Sequence, residues 1–257
     1  MRLDRFLSDC GRTSRRDAAK AISRGQVTLN GTVIRDRSAN IDPEADAVCF
    51  CGERVIYRKY TYIMMNKPEG VVSATEDKGR TVLDLLPEEI DKRGLFPCGR
   101  LDKYTVGLML ITDDGERAHF LLSPKRHVSK TYNFKTQAPL SDEDISALEA
   151  GVDIGGYVTK PCRVEMTGET EGKITISEGK YHQIKLMMEA RKNKITFLER
   201  VAFGSLTLDS TLPRGGWRML TDEEIASLYK DAQGRGSAPS AQCNPPCGGL
   251  NTRVRRA

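Results

Sequence analysis

No stretch of the chain approaches the ~18 consecutive apolar residues that a membrane-spanning helix needs. The opening residues, Met1-Arg2-Leu3-Asp4-Arg5-Phe6, lack the apolar core of a signal peptide. Histidine is scarce: His119, His127 and His182 are the only three, and none stands in an HExxH-like spacing. The seven cysteines include no CxxC pair. One residue separates Cys49 from Cys51 and three separate Cys243 from Cys247, so a four-cysteine zinc site drawing on both pairs lacks the usual spacing. With no export signal, the thiols read as reduced cytosolic ones. No internal repeat is visible. The expectation is a cytoplasmic chain that needs no metal and no cofactor, and neither spans nor adheres to a membrane.

The 257 residues are 39% hydrophobic and 29% charged, the balance of a folded soluble protein. The net charge of +5 is unevenly spread. Residues 1–37 carry nine basic against four acidic side chains, the middle of the chain is balanced, and residues 231–257 carry four basic side chains against one acidic. A basic patch on a small module is the electrostatic footprint of a nucleic-acid binder, and equally that of a merely solvated helix face.

The order of local signals resolves part of that ambiguity. Leu3, Phe6 and Leu7 make a short apolar helix stripe. Ser14 can cap a second helix with Asp17 at its third position, Ala18, Ala19 and Ile22 follow at helical spacing, and Gly25 stops it. Val27 and Leu29 alternate into Asn30-Gly31, a strong hairpin signal. On the capped helix Arg16, Lys20 and Arg24 lie four apart, with Arg15 and Arg12 close by, a row that could follow a phosphate backbone. The strings R-L-D-R-F-L, S-R-R-D-A-A-K-A-I and R-G-Q-V-T-L-N-G, in that order over residues 1–48, resemble the S4 RNA-binding domain. The resemblance implies a module that grips structured RNA and does no chemistry.

Further along, Thr61–Met65 read as a buried strand, Asn66-Lys67-Pro68-Glu69-Gly70 as a turn, and Val71-Val72 as a resumed strand. Thr81–Leu86 read as a short helix stopped by Pro87. Gly99-Arg100-Leu101-Asp102-Lys103-Tyr104-Thr105-Val106-Gly107 is a polar, glycine-flanked loop that runs into an apolar strand and an Asp113-Asp114-Gly115 turn. A carboxylate at the mouth of a buried strand can be a rigid catalytic group or an Asx turn that serves only its own loop.

The string G-R-L-D-x-x-T-x-G followed by an apolar strand and T-D-D-G resembles the catalytic motif of pseudouridine synthases, and most closely that of the RsuA-type enzymes of small-subunit ribosomal RNA. Asn66-Lys67-Pro68, Lys130-Thr131-Tyr132 and Glu178-Gly179-Lys180-Tyr181-His182-Gln183-Ile184-Lys185 resemble the family's other motifs, over residues 59–230 in all. The sequence departs from the usual pattern at Tyr104 and Val106, and at Leu186 and Met187, where a second basic residue is common.

The resemblance implies an α+β architecture. An S4-like module and linker (1–58) precede a catalytic domain (59–230) with a mostly antiparallel mixed sheet and flanking helices, followed by a disordered tail (231–257). It implies a monomer that isomerises uridine in 16S ribosomal RNA, with Asp102 as nucleophile or base. Lys185 becomes the cation beside it, Tyr132 the ring that stacks on the uracil, Ile184 the closure of the other side, Thr105 a supporting group, and Arg100 a phosphate or gap-filling contact. Taken by themselves, Lys185 reads as a surface lysine on a strand, Tyr132 as a core aromatic and Arg100 as a salt-bridge partner. Two rival readings are a synthase acting on 23S ribosomal RNA and a non-catalytic RNA-binding assembly factor. In the remainder, residues 141–151 read as a capped helix, 186–193 as a helix, 195–208 as strands, Trp217 as a packing anchor, and Thr221 with Glu224 as the start of a last helix.

Overall fold

The computed structural model of the chain describes residues 1–10, 13–43, 45–55, 57 and 59–233. The first unit begins with α1 (Leu3–Asp9), which buries Leu3, Phe6 and Leu7. The Ser14 side chain opens α2 (Arg15–Ser23) by accepting from the Asp17 N–H at 3.2 Å, leaving Ala18, Ala21 and Ile22 to face inward. Strands β1 (Val27–Leu29) and β2 (Thr32–Val33) are joined by Asn30 and Gly31 at φ +51° and +82°, the left-handed pair that a two-residue hairpin turn requires. With β3 (Val48–Phe50) and β4 (Glu53–Val55) they form an antiparallel sheet in the order β2-β1-β3-β4. Phe6, Ile22, Val27, Ile41 and Val48 share its core with the two helices.

The larger unit starts with β5 (Tyr62–Lys67), buried along its whole length. A single 3-10 turn (Leu83–Leu85) and β6 (Phe96–Pro97) lead to β7 (Val106–Thr112), also wholly buried. Then follow α3 (Gly115–Leu122), β8 (Lys130–Thr136), α4 (Asp142–Ala150), β9 (Arg163–Met166), β10 (Glu171–Ile176) and α5 (Gln183–Ala190). The chain continues through β11 (Ile195–Phe203), β12 (Leu206–Thr207), β13 (Trp217–Met219) and α6 (Asp222–Gln233). The sheet runs β13-β5-β7-β11-β8-β10-β9, with β6 on β7 and β12 on β11. Among the described strands only β7 and β11 pair in parallel.

Strand alternation explains why β5 and β7 carry no polar face. Ile63, Met65, Met109 and Ile111 pack on one side with Leu148, Ile184 and Met187 from α4 and α5. Tyr62, Met64, Leu108 and Leu110 pack on the other with Ala118, Leu121 and Leu228 from α3 and α6. A strand covered by helices on both faces is apolar on both, and the polar residues Asn66, Lys67 and Thr112 fall only at the strand ends. The sheet is therefore mixed and mostly antiparallel, as the sequence implies. No described helix is long and apolar enough to cross a membrane.

Four expectations need correction. Val71-Val72 form no strand, only a bridge from Val72 to Thr81. Thr81–Leu86 make one 3-10 turn, because the Asp84 carboxylate accepts from the Thr81 N–H and hydroxyl and closes the turn on itself. The helix expected at 186–193 starts earlier, at Gln183, and ends at Ala190; this places Lys185 on its first turn and not on a strand. The last helix continues to Gln233, past the expected start of the tail at Asp231, while residues 234–257, with Cys243 and Cys247, lie outside the described residues.

Gly107 marks the tightest approach, where Val106 and Gly107 pair with Glu199 and Arg200. It stands at φ +100°, and a Cβ there would meet the Arg200 carbonyl oxygen at 2.3 Å. Backbone cannot yield as a flexible side chain does, and the strained conformation alone costs about 1–3 kcal/mol. Gly107→Ala is expected to lower the urea midpoint by the equivalent of at least ~2 kcal/mol, and an unchanged midpoint would show that β7 and β11 separate freely.

Candidate active site

Asp102 sits in the loop between β6 and β7, immediately before the chain is drawn into the centre of the sheet. Its Oδ2 accepts from Lys185 Nζ at 2.6 Å, and both side chains are 27% exposed. The lysine comes from the first turn of α5, whose Ile184, Met187 and Met188 are buried. Core packing thus delivers both partners. His182, just before that helix, holds φ +50° and makes no capping hydrogen bond. Its Nε2 lies 3.4 Å from Asp102 Oδ1, a contact longer than a normal hydrogen bond.

The loop itself is held from below. Lys67 at the end of β5 is wholly buried, and its Nζ donates to the carbonyls of Pro68, Asp102, Lys103 and Thr105 at 2.9–3.3 Å. Burial pushes its pKa down from 10.5 to about 8, although the nearby Asp102 pulls upward. Ser73 donates to the Leu101 carbonyl at 2.8 Å and accepts from its N–H at 3.1 Å. The Gly70 N–H donates to Lys103 O, and the Thr105 N–H to Asp102 O. Four of the five residues from Leu101 to Thr105 are therefore pinned through their backbones.

On the other side, Glu178 accepts from the Tyr157 hydroxyl, the Lys160 N–H and Gln183 Nε2 at 2.7–2.9 Å. Gln183 Oε1 accepts from the Lys180 N–H at 2.9 Å. This network sets the entrance to α5 and hence the positions of His182 and Lys185.

The other anticipated residues fall in three places. Tyr132 and Ile184 are buried in the same core cluster as Leu101, the neighbour of Asp102. Tyr132 is only 7% exposed, and its hydroxyl makes no hydrogen bond among the described residues. Thr105 is buried, with an Oγ1 that has no hydrogen-bond partner among the described residues. Arg100 is exposed and makes no ion pair among the described residues. Away from this centre, Arg15, Arg16, Lys20 and Arg24 line a cleft of about 640 Å³ in the small unit, with Lys20 also bound to Asp17 at 3.0 Å. Arg12 lies outside the described residues.

Three residues were not anticipated. Lys67 and His182 belong to the recognised motifs, but no spacing rule announces a lysine that binds carbonyls or a histidine ahead of a helix. Arg37 joins the basic cleft from the loop after β2, which only the folded chain reveals. Among the described residues no group of three or more His, Cys, Asp or Glu is arranged to hold a metal.

Residues 61–190 match the model of a family described as RNA pseudouridylate synthase, and residues 1–46 match the S4 domain. The Bacillus subtilis protein named "Uncharacterized RNA pseudouridine synthase YtzG" is 46% identical over 89% of this chain and 98% of its own. Proteins named "Ribosomal small subunit pseudouridine synthase A" are 40% identical in Vibrio cholerae, over 90% of this chain, and 38% identical in Escherichia coli, over 89%; both are covered along 100% of their length. A solved "Crystal structure of pseudouridylate synthase" superposes with a TM-score of 0.63 at 35% identity, over 89% of this chain and 99% of that one.

The low pKa of Lys67 makes the loop clamp sensitive to pH. Burial penalises the charged amine, so the contribution of this group to folding stability rises as the pH passes from about 8 to 10.5, where the unfolded chain still holds the proton. Locally the change is the reverse, since the neutral amine has one donor fewer for the loop carbonyls. The carbonyl-carbon NMR shifts of Asp102 and Thr105 are expected to titrate together near pH 8 and to lose that step in Lys67→Met. A flat trace through this range would refute the clamp.

Proposed function

The chain belongs to the RNA pseudouridylate synthase family, with an S4 domain ahead of the catalytic unit, and from that premise we propose that it converts a defined uridine of 16S ribosomal RNA to pseudouridine through Asp102. The observation that carries the assignment to Asp102 is its 2.6 Å ion pair with Lys185 in a sheltered site. The choice of 16S RNA is supported by the names of relatives at 38–40% identity aligned along their whole length.

The chemistry fits one carboxylate. The bond from uracil N1 to the ribose C1′ breaks, the base turns, and C5 bonds to the same C1′. The C5 proton is lost and N1 gains one, so atoms and electrons balance with nothing imported. Asp102 either attacks the sugar carbon or removes a sugar proton, and a carboxamide can do neither. Lys185 holds the carboxylate in place. The unpartnered Thr105 hydroxyl, close by in the same loop, is free to meet a polar group of the bound nucleotide. Tyr132 and Ile184 form the apolar floor on which the everted uracil rests, and extruding it costs a few kcal/mol. Arg100, exposed at the start of the loop, meets a phosphate or the gap left in the helix. The basic cleft at Arg15, Arg16, Lys20 and Arg24, extended by Arg37, tracks the RNA backbone. In this reading the protein acts as a cytoplasmic monomer without metal or cofactor, residues 1–58 serving as the RNA module and linker and 59–230 as the catalytic domain.

Asp102→Asn is expected to lower tritium release from 16S RNA labelled at uridine C5 by at least about 10³-fold while RNA affinity is kept. Mapping pseudouridine in both ribosomal RNAs with and without the protein separates the substrates: gain of a site in 23S RNA alone overturns the small-subunit reading, and no gain in either leaves a non-catalytic factor.

Arg16→Ala combined with Lys20→Ala is expected to weaken RNA binding and to reduce the slope of log affinity against log salt by roughly 1–2. An unchanged slope would exclude the cleft as the RNA contact.

A further inference from the structure

Two exposed tyrosines stand at the edge of the Asp102 site, and neither has a role in the reading above. Tyr181 is 80% exposed and Tyr104 is 64% exposed, the two aromatic residues among the exposed large hydrophobic side chains described. Tyr104 lies two residues after Asp102, within about 7 Å along the backbone. Tyr181 directly precedes His182, whose ring contacts Asp102 at 3.4 Å. Each tyrosine therefore rides on one of the two segments that meet at the carboxylate.

The Tyr181 ring already has a stacking partner. It stacks on His182 with centroids 3.8 Å apart and planes inclined by 17°. One face meets the imidazole, and the exposed side of the ring can receive a flat partner. Neither tyrosine hydroxyl is committed to a hydrogen bond among the described residues. Exposed lysines adjoin both tyrosines in the chain: Lys103 places its Nζ 6.0 Å from the Tyr104 centroid, while Lys180, which precedes Tyr181, turns its Nζ over the Tyr157 ring at 4.2 Å. Aromatic faces interleaved with cations are what an unpaired nucleic-acid strand requires.

A uridine drawn out of a helix leaves its neighbours without a stacking partner on one side. The one aromatic side chain assigned to the floor, Tyr132, is nearly covered and presents little open face. We propose that the Tyr181–His182 stack, together with Tyr104, forms a stacking subsite for the bases that flank the target uridine, replacing the contacts they lose when it turns out. The proposal rests on the RNA-modifying reading, since it assigns the flanking nucleotides of that substrate.

The test uses the full chain and a short oligouridylate carrying a single 2-aminopurine, whose fluorescence falls when it stacks. The probe is expected to be quenched on binding. Tyr181→Ala should lose the quench and weaken binding about 5- to 150-fold, while Tyr181→Phe retains both. Tyr104→Ala should reduce affinity in the same direction. An abasic nucleotide in place of the 2-aminopurine should cost affinity in the unmodified protein and nothing further in Tyr181→Ala. Equal costs in the two proteins, or full quenching without the Tyr181 ring, overturn the subsite and leave the platform to a protein partner. Because binding is read without turnover, ring-dependent quenching in a protein that converts no ribosomal uridine would sink the assigned reaction and not the subsite.

Discussion

The contact between Lys185 and Asp102 joins segments 83 residues apart, and the site exists only where that contact can form. Each backbone is brought to the contact by its own element, and only the side chains then fix one another. Asp102 is carried by the loop that leads into β7, a strand buried along its whole length, and Lys185 by a helix whose Ile184, Met187 and Met188 are buried in the core. The ion pair therefore reports where the sheet and α5 have been placed, and its own net contribution to stability is small. Desolvation offsets most of the attraction in such pairs, whereas removing one partner strands the other in a sheltered place. This asymmetry gives a charged pair local precision without demanding that it hold the fold together.

A second lysine does the opposite task. Lys67 touches no carboxylate and spends its charge on four backbone carbonyls, three of them in the loop that bears Asp102. Burying an ammonium in this way costs stability, which the fall of its pKa to about 8 expresses. What it secures is a loop of fixed shape. Asp102, Lys103 and Thr105 cannot shift without breaking a charge-assisted bond, and Ser73 holds Leu101 in the same way. A catalytic group on a loop is only as well placed as the contacts that carry the loop.

How much of this could be read from the sequence depended on whether the signal was local. Ser14 with Asp17, Asn30-Gly31, Ser141 with Asp144 and Gly151, and Thr221 with Glu224 act within a few residues, and each behaves as its chemistry dictates. Asp102 and Lys185 became candidates only through recurring motifs, since nothing in their spacing implies a meeting. The start of α5 lies ahead of where the sequence suggests because its signals are not those of an ordinary helix. His182 in a left-handed conformation caps nothing, and Gln183 turns back to bind the Lys180 N–H. Val71-Val72 has strand composition but finds no neighbouring strand beyond the single bridge to Thr81. Arg37 could not be anticipated at all, because its place beside Arg16 and Lys20 is purely tertiary.

The choice of lysine at position 185 has a consequence for the carboxylate. An arginine there would present a planar fork that engages both oxygens at once. Lysine is a point donor, and here it binds Oδ2 alone at 2.6 Å. Oδ1 is left with the His182 ring at 3.4 Å, too far for a strong bond. One oxygen is thereby anchored while the other remains available to a substrate atom. A fork would fix the carboxylate more rigidly and take a lone pair on each oxygen, whereas lysine takes one on Oδ2 alone. Because a point contact sets distance without setting the plane of the carboxylate, the orientation must come from the backbone of the loop, and this is the part of the site that Lys67 and Ser73 hold in place.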